Sequence, residues 1–228
     1  MEGKKREQKL ILKEGRTIVP KDVINEIREI LKDFSPMQPH EHPINVYYKD
    51  TYYDDAEASL YKSGGSLKVR QGVNEFGFNE KILVMRTKTQ NPTKLKYSIF
   101  WDEMELPVRN QQKTSLQESI QPLKAIFTNF NFEKLKEEPV LICDTYRVLY
   151  KLEIIKDGEP VTISFLFDHI KYERDGKEAE DTLLKIRGRT VGRKLREYIY
   201  LGVLEKFPEY TLVESSRYER ALEKLEES

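Results

Sequence analysis

The sequence predicts an α+β domain built on a closed antiparallel β-barrel of about eight strands with flanking helices. Three observations carry that prediction. Strand-like runs recur along most of the chain, separated by turn dipeptides such as Asp157-Gly158 and Asp175-Gly176. Several runs also carry charges two residues apart: Lys68 and Arg70, Arg86 and Lys88, Lys94 and Lys96, Glu103 and Glu105. Alternation puts each pair on one face of its strand. Finally, an antiparallel sheet of this size removes its exposed edges most completely by closing on itself. With 38% hydrophobic and 34% charged residues, a barrel with a wet, charged lumen suits the composition; the alternative is that the paired charges face solvent.

Taken in order, Lys9 to Lys13 reads as a first strand and Glu14-Gly15-Arg16 as a turn. Pro20 then opens a helix, because Val23, Ile24, Ile27, Ile30 and Leu31 recur at helical spacing. Pro36, Pro39 and Pro43 mark a loop holding His40 and His42, which reads as a solvated loop in preference to a metal site since no third ligand is near in sequence. Strands follow at 46–50, 66–71, 81–88 and 97–106, with turn chemistry at Gly64-Gly65, Asn74 to Asn79 and Asn91-Pro92. Leu116 to Phe130 is a helix interrupted near Pro122. Strands resume at 140–155, 161–172 and 181–187, joined by the two Asp-Gly turns. A helix from Val191 to Phe207 follows, and a short helix around Ser215 to Leu222 closes one end. The basic run Arg187, Arg189, Arg193, Lys194 and Arg196 either contacts phosphate or forms a solvated helix face.

The 228 residues fit one domain, residues 1–228, with no stretch that reads as a long linker. Lys plus Arg equals Asp plus Glu at 39 each, so global charge gives no argument for nucleic acid or a membrane as partner. Any anion site must be local. The single cysteine, Cys143, sits in the apolar run Val140 to Cys143 and reads as a buried structural thiol. The first residues lack the apolar core of a signal peptide, and no stretch is apolar enough to span a bilayer. A soluble cytoplasmic protein is expected, of open oligomeric state.

A local anion site is suggested by the stretch from Tyr48-Lys49-Asp50-Thr51 to Leu60-Tyr61-Lys62-Ser63-Gly64-Gly65-Ser66-Leu67-Lys68-Val69-Arg70. Lys68 and Arg70 share one strand face, Leu67 and Val69 the other. This stretch resembles the CYTH superfamily of triphosphate tunnel metalloenzymes, which includes adenylate cyclases and thiamine, inorganic and RNA triphosphatases. Thr87-Lys88, Glu103-Met104-Glu105, Arg147, Asp168 and Ser216-Arg217-Tyr218 continue the resemblance in order along the chain. It implies that Lys13, Lys68, Arg70, Lys88, Arg147 and Arg217 bind phosphate oxygens of a linear triphosphate. It also implies that Glu103, Glu105 and Asp168 are acidic or metal-side groups for magnesium or manganese. The acids equally suit a structural role, pairing with lumen arginines.

The chain departs from the family pattern on its first and last barrel strands. Where the family's first strand carries glutamate-x-glutamate-x-lysine, this chain has Lys9-Leu10-Ile11-Leu12-Lys13, so Lys9 puts a cation where the family has an acid. In Asp181 to Ile186, Asp181 is the sole acid where a glutamate pair is expected, and Trp101 replaces an arginine. Fewer hard oxygen ligands weaken divalent-metal catalysis more than anion binding. Two functions follow as expectations. One is a divergent domain that binds a triphosphate, polyphosphate or nucleotide polyanion with weak or no catalysis, its partner a phosphorylated small molecule or polyphosphate. The other is a metal-dependent triphosphatase, with magnesium or manganese as cofactor.

Overall fold

The computed structural model describes residues 3–13, 15–34, 43–73, 79–88, 99–108, 116–128, 130–188, 193–213 and 215–227, and within these not the side chains of 3–8, 79–80, 88, 99–103 and 193. His40 and His42, the turn at 74–78, the Asn91-Pro92 reversal, Lys94 and Lys96, Arg189 and Val191 lie outside the described residues.

The described strands are β1 (Gly3–Leu12), β2 (Ile44–Tyr53), β3 (Ser66–Val73), β4 (Asn79–Lys88), β5 (Ile99–Pro107), β6 (Leu141–Lys156), β7 (Glu159–Arg174), β8 (Lys177–Arg187) and β9 (Tyr210–Val213). All belong to one antiparallel sheet ordered β5-β4-β3-β2-β6-β7-β8-β1-β9, and β1 also pairs with β5. That last pairing returns the sheet to its start, so β1 to β8 form a closed ring of strands. The ring depends on the length of β1. Gly3 to Glu7 pair with β5, while Gln8 to Ile11 pair with β8 and Lys9 to Leu12 with β9. The strand therefore begins at Gly3, ahead of the expected Lys9, because the earlier residues are the ones that close the barrel, and Lys13 falls just beyond its end.

Local chemistry sets the long hairpins. Asp157 and Gly158 have φ of 53° and 82°, Asp175 and Gly176 φ of 52° and 77°. Both turns thus need two consecutive left-handed residues, the geometry that Asp-Gly supplies at low steric cost. The first turn joins β6 to β7, whose pairing runs from Ile142 opposite Glu173 to Lys156 opposite Glu159, and the second joins β7 to β8.

Helices cover the outside and one end. Helix α1 (Pro20–Ile30) starts with proline at its first positions and buries Val23, Ile24 and Ile27. Together with Leu195, Ile199 and Val203 of α5 (Arg193–Lys206), these pack on the outward residues Phe165, Phe167, Leu184 and Ile186. Each such fully buried side chain contributes roughly 1.5–3 kcal/mol. The expected helix at 116–130 is instead two single turns, α3 (Leu116–Ser119) and α4 (Gln121–Lys124). Pro122 has no N–H for the helical ladder, so it begins the second turn instead of continuing the first. A further turn, α2 (Ser59–Lys62), and the strand β9 were not foreseen.

Helix α6 (Arg217–Glu227) closes one end, as expected. Ser216 and Glu219 form a reciprocal capping box: the Glu219 amide donates to Ser216 Oγ at 3.1 Å, and the Ser216 amide to Glu219 Oε2 at 2.6 Å. Tyr218, Ala221, Leu222 and Leu225 pack with Ile11, Tyr52, Cys143, Ile170, Tyr172 and Leu183, which all point inward. No helix among the described residues is long and apolar enough to cross a membrane.

Candidate functional site

Alternation sorts each barrel strand into an outer apolar set and an inner set. On β3, Leu67 packs into an outer apolar cluster with Leu83 and Met85 of β4, and Lys68 and Arg70 take the opposite face. On β2 the inner set is Tyr48, Asp50 and Tyr52. Register places Asp50 opposite Arg70 and Tyr52 opposite Lys68. On β6, β7 and β8 it includes Thr145 and Arg147, Asp168, and Asp181 and Lys185, with Arg147 opposite Asp168.

These side chains meet around two wholly buried carboxylates, Asp50 and Asp168. Lys68 Nζ donates to Asp50 Oδ2 at 2.6 Å, and Arg70 donates from Nε and Nη2 to the two Asp50 oxygens, each at 2.7 Å. Arg147 makes the corresponding fork on Asp168, at 2.6 Å and 2.8 Å, and Lys185 Nζ lies 3.1 Å from Asp168 Oδ2. Arg217, entering from the first turn of α6, bridges the two centres. Its Nη1 donates to Asp50 at 3.3 Å and to Thr145 Oγ1 at 3.2 Å, and its Nη2 to Asp168 at 2.7 Å. Among the described residues, five cations thus contact two carboxylates.

Tyr48 sits between the centres. Its hydroxyl accepts from Arg147 at 2.7 Å and from Arg217 at 3.1 Å, and its ring lies 4.1 Å from the Arg70 guanidinium carbon. Gly72 stands opposite Tyr48, where a Cβ would meet Tyr48 Cβ at 2.5 Å, so the missing side chain is what admits the tyrosine.

Electrostatics follow from this packing. Burial by itself would raise the pKa of Asp50, but Arg70, Lys68 and Arg217 hold it well below the usual carboxylate range. The same opposition, with Lys185 and Arg147 as the main cations, lowers that of Asp168. Burial, reinforced by Arg70, lowers the pKa of Lys68 against the pull of Asp50. Cys143 is fully buried and burial pushes its thiol up to about 12, in keeping with a structural role.

The structure thus brings Lys68, Arg70, Arg147, Arg217 and Asp168 into one cluster. Lys9 is buried on the inner face beside α6, its ammonium donating to Ser215 O at 3.4 Å. Lys13 is exposed, donates to Pro208 O at 2.8 Å, and lines a surface cavity of about 840 Å³ with Arg16, His169 and Arg220. Glu105 is exposed and stands opposite Val84. Glu103 pairs with Arg86 and Lys88 with Trp101 through the backbone, but the side chains of Glu103, Lys88 and Trp101 are outside the described residues. No group of three or more His, Cys, Asp or Glu among the described residues is gathered as for a metal ion. Asp181 accepts from Tyr172 at 3.1 Å and from Arg220 Nε at 3.0 Å.

Sequence reasoning did not single out Tyr48, Asp50, Thr145 and Lys185 as site residues. For Asp50 a signal existed: it alternates with Tyr48 and Tyr52 on a strand next to the Lys68–Arg70 strand. For Lys185 there was none, since nothing local tells that its face turns inward beside Asp168.

No family model matches the sequence, and no curated protein matches it. Solved structures do match in fold. A candidate adenylate cyclase from Bacillus halodurans superposes with a TM-score of 0.51 at 14% identity, covering 94% of this chain and 95% of that one. A candidate adenylyl cyclase from Hippeastrum, described as revealing a dominant triphosphatase activity, gives 0.53 at 12% identity, covering 98% and 96%. The PH1819 protein of Pyrococcus horikoshii gives 0.50 at 16% identity, covering 95% and 98%. The architecture of this chain is therefore the α+β fold of these solved structures, an antiparallel sheet with flanking helices.

Proposed function

We propose that the chain binds a linear triphosphate, polyphosphate or nucleotide polyanion inside the barrel, with weak or no hydrolysis. The observation that carries this reading is that, among the described residues, five cations converge on two buried carboxylates within a protein of zero formal net charge. Guanidinium forks and ammonium groups are the donors that phosphate oxygens take. Arg70, Lys68, Arg147 and Arg217 are the central ligands in this reading, with Lys9 extending the basic wall. Weak catalysis is supported by the inner face of β1, where Lys9 and Ile11 stand in place of acids, and by Asp181, which Tyr172 and Arg220 already engage.

Thermal melting with a chelator present tests it. Tripolyphosphate at about a hundred times its dissociation constant should stabilise the fold by about 2.7 kcal/mol, a rise of roughly 5–10 °C for a domain of this size. The absence of any shift with tripolyphosphate, ATP and long-chain polyphosphate would overturn the proposal.

The second reading, a magnesium- or manganese-dependent triphosphatase, is favoured by the activity described for the Hippeastrum neighbour. Glu103 and Glu105 are its acids. We assign Asp168 to charge compensation, because Arg147, Lys185 and Arg217 occupy both of its oxygens. Phosphate release from tripolyphosphate that needs magnesium or manganese and disappears in Glu103→Gln with Glu105→Gln is the expected sign. No release with either metal removes this reading.

A further inference from the structure

The cluster is unevenly accessible. Asp50, Asp168, Lys68 and Arg217 are at most 5% exposed and Arg147 is 9% exposed, whereas the Arg70 side chain is 25% exposed. Arg86 of β4 is half-buried and close enough to Lys68 to act on its charge. At the opposite end, Arg217 and Tyr218 in the first turn of α6 are buried, and Tyr218 stacks on Tyr52 with ring centroids 5.2 Å apart. Among the described members of the cluster, Arg70 is therefore where solvent meets the buried charges, and its fork is already filled by Asp50 in the two-bond geometry that a phosphate takes.

We infer that Asp50 is a resident counter-ion that an entering anion must displace from Arg70 and Lys68, which makes the site selective for multiply charged phosphate chains entering by one end. The inference rests on the polyanion reading above. Asp50 is tethered to the same barrel as its cations, so its effective concentration is high and it holds them against a compact anion such as inorganic phosphate, which reaches only those same donors. A polyphosphate chain wins by adding further charged phosphates that reach other donors of the basic wall. Arg217 Nη1, 3.3 Å from Asp50 Oδ2, is placed to keep the displaced carboxylate partnered, so exchange leaves no buried charge alone.

Calorimetric titration of the full chain with tripolyphosphate and with inorganic phosphate, chelator present, tests this in the native protein and in Asp50→Asn. The native protein should bind tripolyphosphate and discriminate against inorganic phosphate. Asp50→Asn should bind tripolyphosphate about tenfold more tightly or better and gain measurable binding of inorganic phosphate. Equal affinities in the two proteins would overturn the inference and leave the polyanion reading standing; no binding to either protein removes both. Asp50→Asn takes the carboxylate from Lys68 and Arg70 and leaves Arg217 with Asp168 alone, so folding is read separately by melting. A variant unstable alone should be rescued by tripolyphosphate, with a larger rise in Tm than the native protein shows. A variant that stays unfolded with saturating tripolyphosphate overturns the inference, since the ligand then does not replace Asp50.

Discussion

Asp50 and Asp168 are alike in chemistry and unlike in setting. Each is a wholly buried carboxylate on an inner strand face, each takes a two-bond fork from an arginine on a neighbouring strand, and each shares Arg217. The Asp50 fork comes from Arg70, whose side chain is a quarter exposed, while the cations on Asp168 are exposed by 10% or less. The difference teaches that one network can have a half open to solvent and an enclosed half. On the counter-ion proposal, Lys68 and Arg70 exchange their carboxylate for the ligand, while Arg147 and Arg217 keep Asp168 when they meet it.

The strongest way to break this comparison is Asp168→Asn. It removes the buried carboxylate that Arg147, Lys185 and Arg217 share, Arg217 keeping only Asp50, so it should cost about 3–5 kcal/mol and lower Tm by roughly 10 °C. Tripolyphosphate should restore less of that loss than it restores in Asp50→Asn, because the Asp168 side is enclosed. Equal rescue in a melting series would mean that the two halves are equally open.

Acid titration gives a smaller effect that applies to both halves. Both carboxylates titrate lower in the folded protein than the ordinary aspartate value of about 3.9. A group with a depressed folded pKa contributes its stability fully above the unfolded value and loses it as pH falls towards the folded one. Tm should therefore fall steeply below about pH 4, and a Tm unchanged at pH 3 would show that the two networks are not a source of stability. The smallest effect belongs to the outer face. Lys49 and Asp144 form a half-exposed pair at 3.9 Å, so Lys49→Ala should change neither Tm nor tripolyphosphate binding. A measurable loss of binding there would extend the site outside the barrel.

Much of the fold was legible because it is written in local chemistry. The two Asp-Gly turns demanded left-handed residues, α1 announced itself by Pro20 and the spacing of Val23, Ile24 and Ile27, and Leu67–Arg70 showed its alternation directly. The capping box at Ser216 and Glu219 that marks where α6 begins is equally local, though sequence reasoning did not single it out. The site was legible as a set of cations and less so as an arrangement. Lys68, Arg70, Arg147 and Arg217 do converge, whereas Lys13, expected beside them, reaches Pro208 instead, because β1 ends at Leu12.

The sequence by itself determined which residues share a strand face, where the turns fall and that any anion site had to be local in a chain of balanced charge. Alternation and turn geometry act over a few residues, so a sequence displays them. Only the tertiary structure decided that the charged faces turn inward, that β1 closes the ring by pairing with both β5 and β8, and that Asp50 and Asp168 become the partners of cations far away in the chain. Arg217 meets Asp50 only because strand pairing and the docking of α6 bring them together. Those are long-range contacts whose pattern no short stretch of sequence carries.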